Sequence, residues 1–500
     1  MALFGTFTYG TSVLYGATGD NTNLLYGVLV DWDEDGYYDA NEAPDRLLKW
    51  FSRRGRENYL RDSDEGGFAP YREGEVVIEL DNRDQRYNPL NTSSPIYPNV
   101  AEGKYINFFI KDGSAGTRED LITGQIDDID LVGNGADAKA VITIVDGWNK
   151  LRADEVSIAI QEDVLTSDAI DAVLDATEWP AIYGRNIGIA SQTIAYWWED
   201  GRSPSAALKD LADSEFGRFY IARNGNAVFA SRHQIDESVV TLQDATSLKD
   251  VGLANVFKSY RDKVSIKVQP LSPQATSEVW RHREIPVVPA GQAIQIWAEF
   301  SFEGKIVPVI NPISPVATTD YTANTAADGS GSNLTADIVV TPTWFGSRAL
   351  LNVQNNNGSD AHLTLIKVRA DALASLDASY AISGEGKRIF KLELPWQQAI
   401  NFANDLAEYL VDLLSSKRPR PIIRLENRFE EQFTPDLTSQ VTGSYPSLEI
   451  ADDYRIGYIE HESGETVQEV RTMFKLEPFA VLTGSWQFPT EIGVTSSFGL

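Results

Sequence analysis

The sequence predicts a mainly β fold with α+β parts: barrel- or sandwich-like β domains, an inserted β-sandwich and a helix–hairpin unit. Three observations predict it. Over the first 150 residues, short β-branched and aromatic runs alternate apolar with polar and stop at Asp, Asn or Gly. Further on, a helix pattern runs into Asn224-Gly225 between two β-rich segments, a strong hairpin signal. The clearest helix pattern comes late, from 397 to 416.

The elements follow in order. Strands are expected at 25–30, 75–80, 105–110, 121–126 and 140–145, with Val76, Ile78 and Leu80 sharing one face. Strands in such succession, separated by turn signals, favour a mostly antiparallel barrel or sandwich. Ser167 is positioned to cap a helix whose Ile170, Val173 and Leu174 share a face. Ser203 with Pro204 opens another, burying Leu208 and Leu211, and feeds the hairpin of 218–223 and 227–230. Between 286 and 370 small and β-branched residues dominate, with strands expected at 336–340 and 363–368. The late helix places Ala399, Phe402, Ala403, Leu406, Leu410 and Leu413 on one stripe. Lys417 and Arg418 complement its negative end, and Pro419 and Pro421 stop it. Strands return at 455–459 and 472–476. The chain divides into a β domain at 1–150, a mixed α+β domain at 151–285, the inserted β-sandwich at 286–370 and a second β domain with the long helix at 371–500.

One faint repeat joins the ends. Thr123-Gly124-Gln125-Ile126-Asp127 and Ile456-Gly457-Tyr458-Ile459-Glu460 are each followed by a further strand. Chance similarity and two related β domains are both open readings of so short a match.

Composition excludes more than it assigns. Five hundred residues suggest three or four domains, and 42% hydrophobic with 23% charged residues describes a globular chain. No apolar run approaches the roughly 20 residues of a membrane span, and Met1-Ala2-Leu3-Phe4-Gly5 lacks the start of a signal peptide. With no cysteine there is no disulfide frame, thiolate zinc site or cysteine nucleophile. Seventy-two acids against forty-three bases, a net −29, reverse the electrostatic footprint of a nucleic-acid binder. The basic clusters, Arg53-Arg54-Gly55-Arg56 and Lys417-Arg418-Pro419-Arg420, are short and read as structural or protein–protein contacts. No HExxH, GxSxG, Walker loop or dinucleotide fingerprint occurs, and Ser383-Gly384-Glu385-Gly386-Lys387 reads as a turn. His233, His282, His362 and His461 are scattered and read as surface or sheet residues. The expectation is a protein that is not an enzyme.

The sharpest local motif is acidic. Asp31-Trp32-Asp33-Glu34-Asp35-Gly36-Tyr37-Tyr38-Asp39-Ala40-Asn41-Glu42 matches the EF-hand calcium loop. Asp31, Asp33 and Asp35 would converge on Ca²⁺, Tyr37 would lend its carbonyl, Asp39 would act through water and Glu42 would bind with both oxygens. The flanking helix on the N-terminal side is missing, since 26–30 reads as a strand. The role expected is structural; the alternative is an acidic hairpin turn without an ion.

Two motifs carry a resemblance. In Glu79-Leu80-Asp81-Asn82-Arg83-Asp84-Gln85-Arg86-Tyr87-Asn88-Pro89-Leu90-Asn91, a strand ends in Leu-Asp-Asn before an Arg/Tyr-Asn-Pro turn. The Ser/Pro-rich Ser93-Ser94-Pro95-Ile96-Tyr97-Pro98-Asn99 and a strand with a central glycine at 121–126 follow. This resembles the tail proteins of long-tailed bacteriophages and prophages, in particular the baseplate hub or tail-tip tail-associated family. The helix–hairpin at 206–232 and the loop at 320–334 resemble it too. The resemblance implies two tube-like β domains per chain and a homotrimeric ring capping the tail tube, a conduit for DNA ejection. The partners it implies are the distal tail protein, the tail tube, the tape measure protein and tail fibre or receptor-binding proteins. DNA would be met only in passage, with no stable membrane insertion. The location implied is the virion tail tip or baseplate, after assembly in the host cytoplasm. The alternatives are a distal tail protein of another ring and a secreted, calcium-stabilised carbohydrate-binding β protein.

Overall fold

The computed structural model describes residues 23–56, 69–113, 116–234, 238–243, 250–253, 260–415, 420–445 and 450–478. The fold is mainly β with α+β parts. No helix among the described residues is long and apolar enough to cross a membrane.

Six strands build the first unit: Leu24–Val30, Leu47–Gly55, Arg72–Asp81, Tyr105–Asp112, Arg118–Val132 and Lys139–Val145. Numbered in sequence, they lie side by side as 1-4-5-6-3-2. Alternation drives this packing. In Arg72–Asp81 the buried residues are Gly74, Val76, Ile78 and Leu80, and the last three share one core with Trp50, Ile106, Phe108 and Ile142. Tyr105–Asp112 breaks the alternation because both its faces are covered. Ile106, Phe108 and Ile110 enter the core, while Asn107 donates to the Thr123 hydroxyl (2.8 Å) and Phe109 lies under the Arg118 guanidinium. Gly27, paired with Phe109, leaves room for that ring: a Cβ there would lie 2.0 Å from it.

A second unit repeats this plan. Ser238–Gln243, Asp250–Leu253, Pro421–Glu426, Gln440–Tyr445, Ile450–Ser463 and Val470–Pro478 are again ordered 1-4-5-6-3-2. One pairing differs: strands 1 and 4 are antiparallel in the first unit and parallel in the second. In each unit strand 5 is long; its first half pairs with strand 4 and strand 6 lies along its other side. The short repeat in the sequence falls on strand 5 of both units, so the related-domain reading stands over chance. Its two glycines are not equivalent, however: Gly124 pairs with Ile106, whereas Gly457 sits at a bulge between Ile456 and Tyr458. The units join edge to edge, strand 2 of the first against strand 5 of the second, from Phe51↔Glu462 to Gly55↔Tyr458. Thirteen strands form this one sheet.

The other elements hang on that frame. Helices Thr166–Ala176 and Pro204–Ser214 pack with Trp148, Leu151, Trp197 and Phe229 into an α+β core. Ser203 caps the second helix, its hydroxyl accepting from the Ala206 amide (3.4 Å). Ser167 does not cap the first, which begins at Thr166 after an uncapped Leu165. In the hairpin turn only Gly225 takes a left-handed conformation (φ 87°), so Asn224 contributes its side chain, accepting from the Asn226 amide, and not a positive φ.

Between strands 2 and 3 of the second unit the chain makes a long excursion. It contains a β-sandwich from Leu271 to Ser375, wider than composition alone marked, because Ala361–Ser375 is a single strand pairing with five others. It also contains the helix Ile400–Ser415 packed on the strands Lys263–Val268, Ser379–Gly384 and Ile389–Glu393. Ala403, Leu406, Leu410 and Leu413 are buried there, while Ala399 is exposed and precedes the helix. Lys417, Arg418 and Pro419, expected to complement and stop this helix, lie outside the described residues. The sandwich is tethered to the α+β unit by Asp200, whose carboxylate accepts from the Gly346 and Ser347 amides (3.1 and 2.9 Å).

Candidate functional site

The acidic loop connects Leu24–Val30 to the short strand Ala40–Asn41, so it is the tip of a hairpin and not an inter-helix loop. Glu34 (φ 61°) and Gly36 (φ 87°) turn it back on itself. The buried Asp31 carboxylate accepts from the Asp35 and Gly36 amides (3.2 and 3.1 Å), and Asp39 accepts from the Trp32 amide (2.8 Å). Carboxylate oxygens of Asp31, Asp33 and Asp39 lie within 4.8 Å of one another, close enough to share a cation.

The remaining expected ligands are placed otherwise. Asp35 accepts from the Tyr37 amide (2.8 Å), and Tyr37 is exposed. Glu42 is turned away and fully engaged. It accepts from Nε and Nη2 of Arg86 (2.8 and 2.6 Å), the Tyr87 hydroxyl (2.8 Å) and the Trp32 indole (3.3 Å). The donor set therefore fits a cation on three aspartates, without Glu42.

That clamp explains the Asp-Asn…Arg-Tyr-Asn-Pro motif. Asn82 accepts from the Tyr87 amide (3.0 Å), Arg46 pairs with Asp84 (2.6 Å) and the Ser94 hydroxyl donates to the Arg86 carbonyl (2.6 Å). Tyr87, Ile96 and Val100 are thereby pinned onto the core of the first unit. Burial, with Glu42 beside it, pushes the Tyr87 phenol far above its usual range, so it stays a donor. The motif is structural: it folds a long surface loop down.

The basic cluster Arg53-Arg54-Gly55-Arg56 is consumed in ion pairs at the joint between units. Arg53 pairs with Glu75 (2.9 Å), Arg54 with Asp436 (2.8 Å) and Arg56 with Glu477 (2.6 Å). Burial raises Asp436, but Arg54 and Arg223 outweigh it and hold the carboxyl below its ordinary value. Across the same joint, Ser52 pairs with His461, whose buried ring stacks on Phe433 and is pushed down to about 3 by burial.

The joint has a counterpart that is open. By the repeat, residues 127–132 of strand 5 in the first unit correspond to the residues of the second unit covered by Leu47–Gly55. Among the described residues nothing pairs with 127–132 on that side, and Leu131 and Val132 are 42% and 52% exposed. Strand 2 of the second unit, Asp250–Leu253, is likewise paired with Pro421–Glu426 and with no other strand among the described residues, and Leu253 is 44% exposed. The molecule thus presents both halves of the joint it already makes once. No sequence signal marked these edges, because edge character depends on what fails to pair.

No family model matches the chain, and no curated protein does. Among solved structures it is similar to a tail protein from Neisseria meningitidis MC58, with 9% identity and TM-score 0.47 over 91% of this chain and 96% of that one. It is similar to the 43 kDa tail protein of prophage MuSo2 from Shewanella oneidensis (11%, TM-score 0.46, 90% and 98%). It is also similar to prophage tail protein gp18 from Listeria monocytogenes EGD-e (8%, TM-score 0.42, 90% and 94%).

Proposed function

We propose that this chain is a structural protein of a phage tail tip, and that three copies close into a baseplate hub. The observation that carries the reading is the repeat with its two open edges. An interface that uses different surfaces of each partner closes into a ring or runs on as a filament. Here Asp250–Leu253 of one copy would add to residues 127–132 of the next, as Leu47–Gly55 adds to Ile450–Ser463 within the chain. Two equivalent units per chain make a trimer pseudo-sixfold, which suits docking on a sixfold tube.

The net charge of −29 supports passage of DNA without adhesion, because non-specific affinity for phosphate comes from Lys and Arg releasing counterions. Distal tail protein, tail tube, tape measure protein and tail fibres would be its neighbours in the virion. On the acidic loop we propose a structural Ca²⁺ held by Asp31, Asp33 and Asp39. A second reading has one observation in its favour: Asp127, Asp128 and Asp130 charge the open edge, a device that keeps edges unpaired. Light scattering of the purified chain together with negative-stain images separates the two. A trimer with threefold rings is expected, whereas a monomer at every concentration overturns the hub.

A further inference from the structure

Four arginines converge on one cavity of about 20 Å³ in this strongly acidic chain. It lies where the α+β unit, the long helix and the second β unit meet, between Arg218 and Arg232, Tyr409, and Arg455 with Glu477. Arg56, Arg218, Arg232 and Arg455 are each at most 8% exposed. The two carboxylates in the wall have cations already: Glu477 takes Arg56 through two bonds (2.8 and 2.6 Å), and Asp213 takes Lys209 (2.6 Å).

Among the described residues, the hydrogen bonds of Arg218 and Arg232 reach only neutral oxygens. Arg218 donates Nη2 to the Ser231 carbonyl (3.3 Å), and Arg232 donates Nη1 to the Glu215 carbonyl (3.0 Å). The Nε–H of each is buried with no acceptor among the described residues. A guanidinium is donor-only and carries its charge at every accessible pH, so the cavity offers donors and demands an acceptor. Water would satisfy these donors but leave the buried guanidinium charges uncompensated. We propose that the cavity binds one small inorganic anion of halide size, chloride being the abundant candidate. The volume suits a small monatomic ion. So held, the anion fastens the α+β unit to the second β unit.

The competing source of charge is internal. The Glu215 carboxyl is buried, accepts from the Ser191 and Gln192 amides (2.9 and 3.0 Å), and is pushed up to about 7 chiefly by burial. The test melts the full chain at fixed ionic strength in sodium chloride and in sodium gluconate, whose anion is too large to enter. Above saturation, each tenfold rise in chloride should raise the folding constant about tenfold. Gluconate should do nothing, and Arg218→Gln should abolish the difference. A crystal grown in bromide should give an anomalous peak between Arg218 and Arg232, which decides the matter on the unaltered chain if Arg218→Gln does not fold. Equal melting in both salts with no bromide peak assigns the counter-charge to Glu215 and overturns the proposal.

Discussion

Replacing Leu131 by Asp tests ring closure at its weakest point. Leu131, Val132 and Leu253 are each about half exposed in the single chain, so pairing the two open edges would cover the remainder. At about 25 cal/mol per Å² of apolar surface, each half side chain contributes roughly 1 kcal/mol. Leu131→Asp removes one such share and buries a carboxylate without a partner, for a combined cost of at least about 2 kcal/mol per interface. A closed trimer has three interfaces, so the assembly loses about 6 kcal/mol, a fall of about four decades in the association constant. Sedimentation velocity at micromolar concentration should then show a trimer for the parent chain and a monomer for the variant. Leu90→Asp is the control. Leu90 is 85% exposed on the Asn88–Asn91 turn, away from either edge, and its substitution should leave the trimer intact. A trimer that survives Leu131→Asp unchanged would refute the edge assignment even where the ring itself exists.

Three other outcomes are expected. Chelation should lower the melting temperature of the parent chain, and Asp31→Asn with Asp33→Asn should remove that sensitivity. Glu42→Gln should destabilise equally with and without chelator, because Glu42 serves Arg86 and Tyr87; indifference of the parent chain to chelator leaves an acidic turn. Glu199 is buried without a hydrogen bond to either carboxylate oxygen, and burial, only partly offset by Arg202 at 3.6 Å, pushes it up to about 7. A raised carboxyl contributes stability below its unfolded value of 4.5 and loses it as pH climbs through 7, about 3 kcal/mol in all. Glu199→Gln should therefore raise the melting temperature at pH 8 and not at pH 4, and a uniform shift would discount the charge. Finally, a gel shift with duplex DNA should be negative at physiological salt; binding that disappears on neutralising Arg53, the cluster's exposed arginine, would overturn passive conduction.

Much of the fold was legible where one face of an element is buried and the other wet. Val76, Ile78 and Leu80 announce a strand, and Leu406, Leu410 and Leu413 a helix, because periodicity records burial. Asn107 and Phe109 escaped that logic, since a strand covered on both faces has no period to read. Long-range pairing escaped as well: nothing local to Phe51 points to Glu462, more than four hundred residues on. The acidic loop was legible as a turn with carboxylates at alternate positions. Glu42 was misplaced because the pattern knows spacing and not competitors. Its true partners, Arg86 and Tyr87, stood in the sequence as the basic and aromatic members of an otherwise Asp- and Asn-rich motif.

The two units differ in a way that bears on assembly. Strand 2 of the first unit, Leu47–Gly55, is joined to the second unit within the chain, whereas Asp250–Leu253 of the second meets no strand beyond Pro421–Glu426 among the described residues. Within the chain the joint therefore comprises the register from Phe51 to Gly55, reinforced by Arg54–Asp436 and Arg56–Glu477, both largely buried. Between copies the carboxylates of Asp127, Asp128 and Asp130 oppose the approach of Asp250–Leu253. The covalent connection also spares the internal joint the loss of translational and rotational freedom that association of separate chains must overcome. The internal joint should form first and hold the monomer together, while the intermolecular one depends on concentration. The long excursion leaves from the gap between strands 2 and 3 of the second unit, so additions at that gap leave the remaining strands of the repeat in register.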